Sequence, residues 1–142
     1  MTVESPNRLS FSFPANIDSV TLVREYLSSL LIAENFSEAF AYRSELIIEE
    51  LWRNAIEYGT VSANARIEVV LYFYQDRLEL SVINDGGTAE GLLTLQERIL
   101  APSSGSEDTL GLSIVRVLAD SIEAKQLEDG RIAVSIVRKK LV

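Results

Sequence analysis

The spacing of hydrophobic residues changes several times along the chain, and each change predicts a new element. Apolar and polar residues alternate over residues 9–13, which is typical of a strand with one exposed face, and Pro14 ends the alternation. Apolar residues then recur at helical spacing from residue 17 to about residue 31, where Asn16 is a suitable N-cap. The chain therefore begins with a predicted strand followed by a helix.

A second helix is predicted over residues 37–58, with Ser37 as its N-cap and Gly59 ending it. Glu50 and Asn54 lie one turn apart beside its apolar stripe. An amide oxygen is a hard ligand for Mg²⁺, and a carboxylate can accept a proton from an attacking hydroxyl group. From the spacing alone, the polar flank of an ordinary amphipathic helix is the favoured interpretation, and the rest of the chain has to decide between the two.

Alternation returns over residues 67–73 and 78–82, which predicts two strands joined by a turn at Gln75-Asp76. No strand pattern follows between Asn84 and Gly111, apart from a short predicted helix over residues 91–100. We interpret residues 86–111 as a lid, because a long excursion inside a small domain is usually functional.

The last part of the chain predicts one helix and two strands. The helix covers residues 110–120 and is capped by Asp108 or Thr109, and the strands cover residues 122–127 and 131–138. Asp129-Gly130 between these strands is a strong hairpin signal. The order predicts a single domain over residues 1–142, an α+β two-layer sandwich with helices on one face of a mostly antiparallel sheet.

Composition excludes several kinds of chemistry. The chain has no cysteine and no histidine, so disulfides, imidazole or thiolate zinc sites and a Ser-His-Asp triad are impossible. Its net charge of −8 argues against nucleic acid as a partner. The sequence shows no transmembrane run and no signal-peptide pattern, and the absence of cysteine fits a reducing compartment, so we expect a cytoplasmic protein that does not contact membranes.

Three motifs in order resemble the GHKL ATPase superfamily, whose nucleotide site is called the Bergerat fold. They are Glu50-Leu51-Trp52-Arg53-Asn54-Ala55, Val82-Ile83-Asn84-Asp85-Gly86 and Leu110-Gly111-Leu112-Ser113-Ile114-Val115. The chain length and the strand-helix-helix start are most similar to the bacterial anti-sigma-factor serine/threonine kinases. The resemblance spans nearly the whole chain.

The resemblance implies a role for each matched position. Asn54 would bind Mg²⁺, and Glu50 would be the general base. Asn84 would hold the adenine amino group of ATP or ADP, and Gly86 would let the adenine lie close to the backbone. The turn around Gly111, from Thr109 to Leu112, would offer N–H groups to the phosphates.

The chain departs from the family pattern at three places. Asn84 stands where the family usually has Asp, although the phase of the strand alternation favours residue 84 over Asp85. Thr88 replaces a glycine, and Glu107-Asp108 replaces part of a glycine-rich run. Two carboxylates beside a triphosphate would repel it.

Three hypotheses for function follow. The first is a kinase that uses Mg-ATP to phosphorylate a Ser or Thr of an anti-anti-sigma-like partner and sequesters a sigma factor or a similar regulator. The second is a catalytically degenerate GHKL-fold module that regulates by protein–protein interaction alone. The third is the ATP-binding half of a sensor histidine kinase acting in trans, which the missing acceptor histidine disfavours. By analogy, the resemblance also makes a homodimer plausible.

Overall fold

A computed structural model describes residues 5–59, 64–86, 88–100 and 107–140, with the backbone alone for residues 59 and 107–111. A single 3₁₀ turn, Ile17–Ser19, precedes the first α-helix. The five strands and four α-helices, in chain order, are β1 Asn7–Pro14, α1 Val20–Ala33, α2 Glu38–Gly59, β2 Arg66–Phe73, β3 Arg77–Asn84, α3 Ala89–Leu100, α4 Glu107–Leu118, β4 Ser121–Gln126 and β5 Ile132–Lys139.

The strands form one sheet in the order β1-β2-β3-β5-β4, and every neighbouring pair is antiparallel. The helices pack on one face of this sheet, with α2 against β3 and α3 against β4. The predicted two-layer α+β sandwich is therefore confirmed. Within the described residues, no helix is long and apolar enough to cross a membrane.

The core lies between α2 and the helix-facing side of the sheet. Leu51 and Trp52 of α2 are fully buried, as are alternate residues of the central strands, among them Ile67, Val69, Leu71, Leu78 and Leu80. Each large apolar side chain buried in this way contributes about 1.5–3 kcal/mol. The Trp52 indole N–H also donates to the Asn16 carbonyl at 3.1 Å, which ties α2 to the start of the helical layer.

The structure contains the two predicted caps Asn16 and Ser37 and the predicted turn at Gly130. Asn16 accepts from the Asp18 N–H, and the Ser37 hydroxyl accepts from the Phe40 N–H at 3.1 Å. The rings of Phe36 and Phe40 lie 4.6 Å apart, as in a hydrophobic staple. Gly130 closes the last hairpin with φ of +92°. These local signals fix where α2 begins, and so which of its residues face the sheet.

Candidate functional site

Glu50 and Asn54 lie on the C-terminal half of α2, where the sequence places them on one flank. The Asn54 amide nitrogen donates to the Glu50 carbonyl at 2.8 Å, and the Asn54 residue is only 8% exposed. This bond takes the nitrogen end of the carboxamide, so the oxygen is the end that can serve a ligand. A hard oxygen ligand held in this way suits Mg²⁺.

The Glu50 carboxylate is less stable in its charged form than an ordinary surface glutamate. Its side chain is 22% exposed, and the Arg53 guanidinium lies 3.7 Å away. Burial raises the pKa of Glu50 from its usual value; Arg53 opposes this shift, whereas the charge of Glu49 adds to it. A raised pKa makes a carboxylate a stronger base toward a hydroxyl proton.

The neighbouring Glu49 is held in a different environment. Its carboxylate forms ion pairs with Arg24 at 3.4 Å and with Arg53 at 3.1 Å, and Arg24 also reaches Glu45 at 3.5 Å. Glu49 therefore serves the contact between α1 and α2. Of these two adjacent carboxylates, Glu50 is the one next to the Asn54 carboxamide.

Asn84 ends β3 and faces the helical layer. It pairs across the sheet with Ile67, and Leu78, Leu80 and Val82, at alternate positions along β3, belong to the same core as Ile67. The Asn84 residue is 4% exposed, and its Oδ1 atom has no hydrogen-bond partner among the described residues. A buried acceptor without a donor costs about 1–3 kcal/mol, so this oxygen is suited to a donor that the protein does not supply.

Asp85 has a separate structural role. It is exposed, and its carboxylate accepts from the Arg66 N–H at 2.8 Å, which joins the ends of β2 and β3. Ile83 lies on the opposite face of the sheet, in a small cluster with Val70 and Ala133. The alternation predicted from the sequence is therefore confirmed, and residue 84 rather than residue 85 faces the helices.

Two glycines near this point differ in what surrounds them. A Cβ atom at Gly86 would meet no protein atom within 4 Å, so packing among the described residues does not require glycine there. A Cβ at Gly91 would lie 2.9 Å from the Tyr58 carbonyl oxygen, because α3 crosses the end of α2 there. Gly86 thus leaves open space beside Asn84 that a flat ligand could fill, whereas Gly91 serves helix packing.

The structure gives a reason for threonine at position 88. Its hydroxyl accepts from the Gly91 N–H at 2.9 Å, which caps the first turn of α3. The α3 helix is then anchored by buried Leu95 and Ile99 and by the Gln96 amide, which donates to the Ala124 carbonyl of β4 at 2.9 Å. This part of the predicted lid is a docked helix two residues longer than predicted. Gly87 and residues 101–106 lie outside the described residues.

The start of α4 corrects one expectation. The helix begins at Glu107 and not after Thr109, so Asp108 and Thr109 lie in its first turn instead of capping it. Gly111 and Leu112 lie in the second turn, where N–H groups bond to carbonyls four residues earlier, and the Leu112 side chain is buried in the core. The N–H groups at the free end of this helix are those of residues 107–110. The side chain of Thr109 is not among those described.

The donor set fits a magnesium ion held mainly by a ligand's phosphates. Among the described residues, no three carboxylates or other strong ligands lie close together. Mg²⁺ usually takes one or two protein oxygens and completes its octahedron with water and phosphate. The Asn54 oxygen could supply one such ligand, so the residues present fit this kind of site.

Sequence reasoning missed one buried cation, Arg138. It lies on β5 in step with Val134 and Ile136, which are part of the helix-facing core. The same alternation, continued by two residues, would have placed the arginine inside. Its Nη1 atom donates to the Phe40 carbonyl and to the Ser44 hydroxyl, both at 2.9 Å.

Comparisons with known proteins agree with this geometry. A family model described as histidine kinase-like ATPase domain matches residues 13–138. No curated protein matches the sequence.

Three solved structures share the fold. The RsbU and RsbW domains of Rv1364c from Mycobacterium tuberculosis match with a TM-score of 0.64 and 17% identity, over 94% of this chain and 33% of that one. The catalytic domain of histidine kinase ThkA matches with a TM-score of 0.55 and 21% identity, over 93% and 97%. The SiaB-SiaC complex from Pseudomonas aeruginosa matches with a TM-score of 0.56 and 16% identity, over 92% and 89%. This chain therefore spans about a third of the Rv1364c chain and nearly all of the ThkA domain.

Proposed function

The chain belongs to the histidine kinase-like ATPase domain family, and from this premise we propose that it binds Mg-ATP and phosphorylates a Ser or Thr of a partner protein. The partner would be an anti-anti-sigma-like regulator, and a sigma factor or a similar transcription regulator would be sequestered on another surface. The chain length and the strand-helix-helix start, which resemble the anti-sigma-factor kinases, support this kind of partner.

One observation carries the nucleotide part of the proposal. The buried Asn84 oxygen lacks a hydrogen-bond donor, and the adjacent Gly86 backbone is open to a ligand. The adenine amino group is a donor of the right kind, and an adenine ring is flat enough to lie against a glycine. Guanine presents a carbonyl oxygen at that position, so Asn84 would favour adenine over guanine.

The protein residues would divide the transfer step among them. Phosphoryl transfer depends mainly on positioning and on neutralising charge. Asn54 would hold Mg²⁺, which offsets the negative charge of the phosphates. Glu50 would accept the hydroxyl proton of the partner's Ser or Thr as that oxygen bonds to the γ-phosphorus and ADP leaves. The raised pKa of Glu50 suits this role.

A second candidate is a binding module that has lost phosphotransfer. The observation that favours it is the start of α4, because Glu107 and Asp108 lie in the first turn of the helix that would face the phosphates. Like charges at close range cost on the order of a few kcal/mol even at an effective dielectric constant of 20. This module would regulate through protein–protein interaction alone.

Thermal unfolding with nucleotide tests whether the protein binds nucleotide, which the kinase requires. A ligand at a hundredfold excess over its dissociation constant adds about 2.7 kcal/mol, a shift of several degrees in Tm for a domain of this size. We expect Mg-ADP to raise Tm and Mg-GDP to leave it unchanged. A Tm that does not respond to Mg-ADP or Mg-ATP would rule out the kinase and leave the binding module.

Labelled ATP separates the kinase from the binding module. The protein and its Glu50→Gln variant are each incubated with γ-labelled ATP and an extract of the source cells. A labelled Ser or Thr that appears with the wild type and not with the variant supports the kinase. Nucleotide binding without labelling supports the binding module.

A further inference from the structure

A pocket of about 410 Å³ opens beside the N-terminus of α2, at the other end of that helix from Asn54. None of the described residues that line it is acidic, although the chain carries a net charge of −8. Its walls combine an apolar surface with three cations, formed by Ile32, Phe36, Phe40, Arg43, Arg138 and Lys140. We call it the α2 N-terminal pocket.

Arg138 is the most buried of the three cations, at 5% exposure. Its hydrogen bonds reach only neutral acceptors: Nη1 donates to the Phe40 carbonyl and the Ser44 hydroxyl, and Nε donates to the Leu118 carbonyl at 3.1 Å. Among the described residues, no carboxylate lies within 4 Å of this guanidinium. Within the part of the chain that the structure describes, a positive charge is therefore buried without an opposite charge beside it.

The surroundings increase the charge imbalance. Burial lowers the pKa of Arg138, the charge of Arg43 lowers it further, and the charge of Asp120 opposes this shift. The Arg138 guanidinium lies 4.0 Å from the Phe40 ring centroid, and the Lys140 ammonium lies 4.6 Å from that of Phe36. A buried charge is costly unless a counter-charge compensates it, so an anion in this pocket would be stabilised by all three cations.

The shape of the pocket indicates the class of ligand. Pockets for small molecules have volumes of roughly 300–1,000 Å³ and combine apolar walls with a few polar groups. A guanidinium matches the planar oxygens of a carboxylate or phosphate group, and Phe36 and Phe40 offer an apolar surface beside it. The positive end of the α2 dipole lies at the same place.

We propose that the α2 N-terminal pocket binds a small organic anion whose carboxylate or phosphate group pairs with Arg138, Arg43 and Lys140. Phe40 and Glu50 are ten residues apart, or about 15 Å along α2, so this site is separate from the proposed nucleotide site. Arg138 bonds to α2 and to the last turn of α4, so the ligand would bind where two helices and β5 meet. The inference does not depend on the proposed function.

The test is an NMR titration of the ¹⁵N-labelled protein at constant ionic strength, with inorganic phosphate in one series and benzoate in the other. We expect saturable shifts at the amides of residues 35–40 and at the Arg138 Nε–H for at least one anion. Arg43→Gln and Lys140→Gln should each weaken binding roughly fivefold. The control is Lys139→Gln, which removes one positive charge from the residue between Arg138 and Lys140. Lys139 is exposed and does not line the pocket, so this variant should leave binding unchanged.

Several outcomes would overturn the proposal. Chemical-shift changes that grow linearly with anion concentration would indicate non-specific screening. So would changes that Lys139→Gln weakens as much as Arg43→Gln does. Saturable shifts confined to the amides around Glu50 and Asn54 mean that phosphate binds elsewhere. Saturable binding of a Glu-rich octapeptide, with no response to either small anion, means a protein partner. Arg43 and Lys140 do not belong to the buried core, so their variants are expected to fold, and the same spectra check this.

Discussion

The Asn54 amide nitrogen donates to the Glu50 carbonyl at 2.8 Å, which couples the orientation of the predicted metal ligand to the backbone of the predicted general base. The carboxamide cannot rotate without losing this bond in a setting that is 8% exposed. Its oxygen therefore keeps one direction relative to the Glu50 turn. A metal ligand and a proton acceptor on one rigid helix need little reorganisation when substrate arrives.

Asn54→Ala should reduce the affinity for Mg-ADP about tenfold or more and leave metal-free ADP binding unchanged. The reason is that the missing oxygen would contact the metal and not the nucleotide itself. Calorimetric titration with Mg²⁺ and with EDTA measures both affinities. Asn7→Ala, which changes an exposed asparagine on β1, is the matched control. An equal loss of ADP affinity in the presence of EDTA would show that Asn54 shapes the pocket without holding metal.

Glu50→Gln should lower phosphotransfer about 10²–10⁴-fold while nucleotide binding persists, because the amide cannot accept the hydroxyl proton. Glu49→Gln is the matched control on the adjacent residue. It breaks the ion pairs with Arg24 and Arg53, so it should cost up to about 1 kcal/mol of stability and leave transfer intact. Rates with labelled ATP and Tm values measure both effects. Equal transfer by Glu50→Gln and wild type would rule out Glu50 as the base.

Glu50→Gln should also raise the free energy of unfolding at neutral pH. The pKa of Glu50 is higher in the folded state, so the charged carboxylate is disfavoured by folding. The resulting loss of wild-type stability develops as the pH rises from the usual glutamate pKa through the raised value, and it is absent below both. The advantage of the variant should therefore vanish in acid. Urea unfolding of the wild type and the variant at pH 3 and pH 7 measures this advantage. An equal difference in unfolding free energy at both pH values would show that the raised pKa of Glu50 is not its cause.

Two substitutions of Asn84 should have opposite effects on Tm and on the shift in Tm that Mg-ADP produces. Asn84→Leu keeps the branched shape and removes the unpartnered oxygen, so Tm should not fall, and the Mg-ADP shift should disappear. Asn84→Asp buries a carboxylate, so Tm should fall, while the stronger acceptor should increase the Mg-ADP shift. Thermal unfolding with and without nucleotide checks both variants. A normal Mg-ADP shift in Asn84→Leu would mean that the adenine is held elsewhere.

The sequence was most informative where one period ran without interruption. Alternation along β3 placed Asn84 on the helix-facing side and Asp85 outside it, and the structure agrees at both residues. Ser37 and Asn16 were identified as caps because their side chains act within two or three residues of the chain. Local rules of this kind need no knowledge of distant contacts, which is why the order of elements and the layer arrangement could be predicted.

Predictions were weakest where a family motif suggested a different local structure and where a distant contact decides the outcome. The start of α4 was placed three residues too late, because a glycine motif was taken as a turn and the helix continues through Gly111. The sequence showed Thr88 only as a departure from the glycine of the family pattern, whereas in the structure its hydroxyl caps α3. Glycine is required at position 91 because the Tyr58 carbonyl, 33 positions earlier in the chain, leaves no space for a Cβ atom. The buried Arg138 guanidinium is satisfied by the Phe40 carbonyl, which is also far away in the chain. No pattern within a single element reveals such pairs.

Gly86 and Gly91 provide a matched pair of substitutions that separates ligand contact from packing. In Gly86→Ala the new methyl group meets no protein atom within 4 Å, so Tm without ligand should stay within about 1 °C, while Mg-ADP affinity falls as the methyl occupies space proposed for the adenine. In Gly91→Ala the methyl would lie 2.9 Å from the Tyr58 carbonyl oxygen, so stability should fall by about 1–3 kcal/mol.

Thermal unfolding and calorimetric titration of both variants measure these outcomes, and each glycine serves as the control for the other. If Gly86→Ala bound Mg-ADP as the wild type does, the adenine would not lie against this backbone. A loss of unliganded stability in Gly86→Ala would instead assign the glycine to the fold. Because the described protein atoms leave this position open, packing among them gives no reason for a glycine there, and the Mg-ADP titration tests the proposed ligand contact.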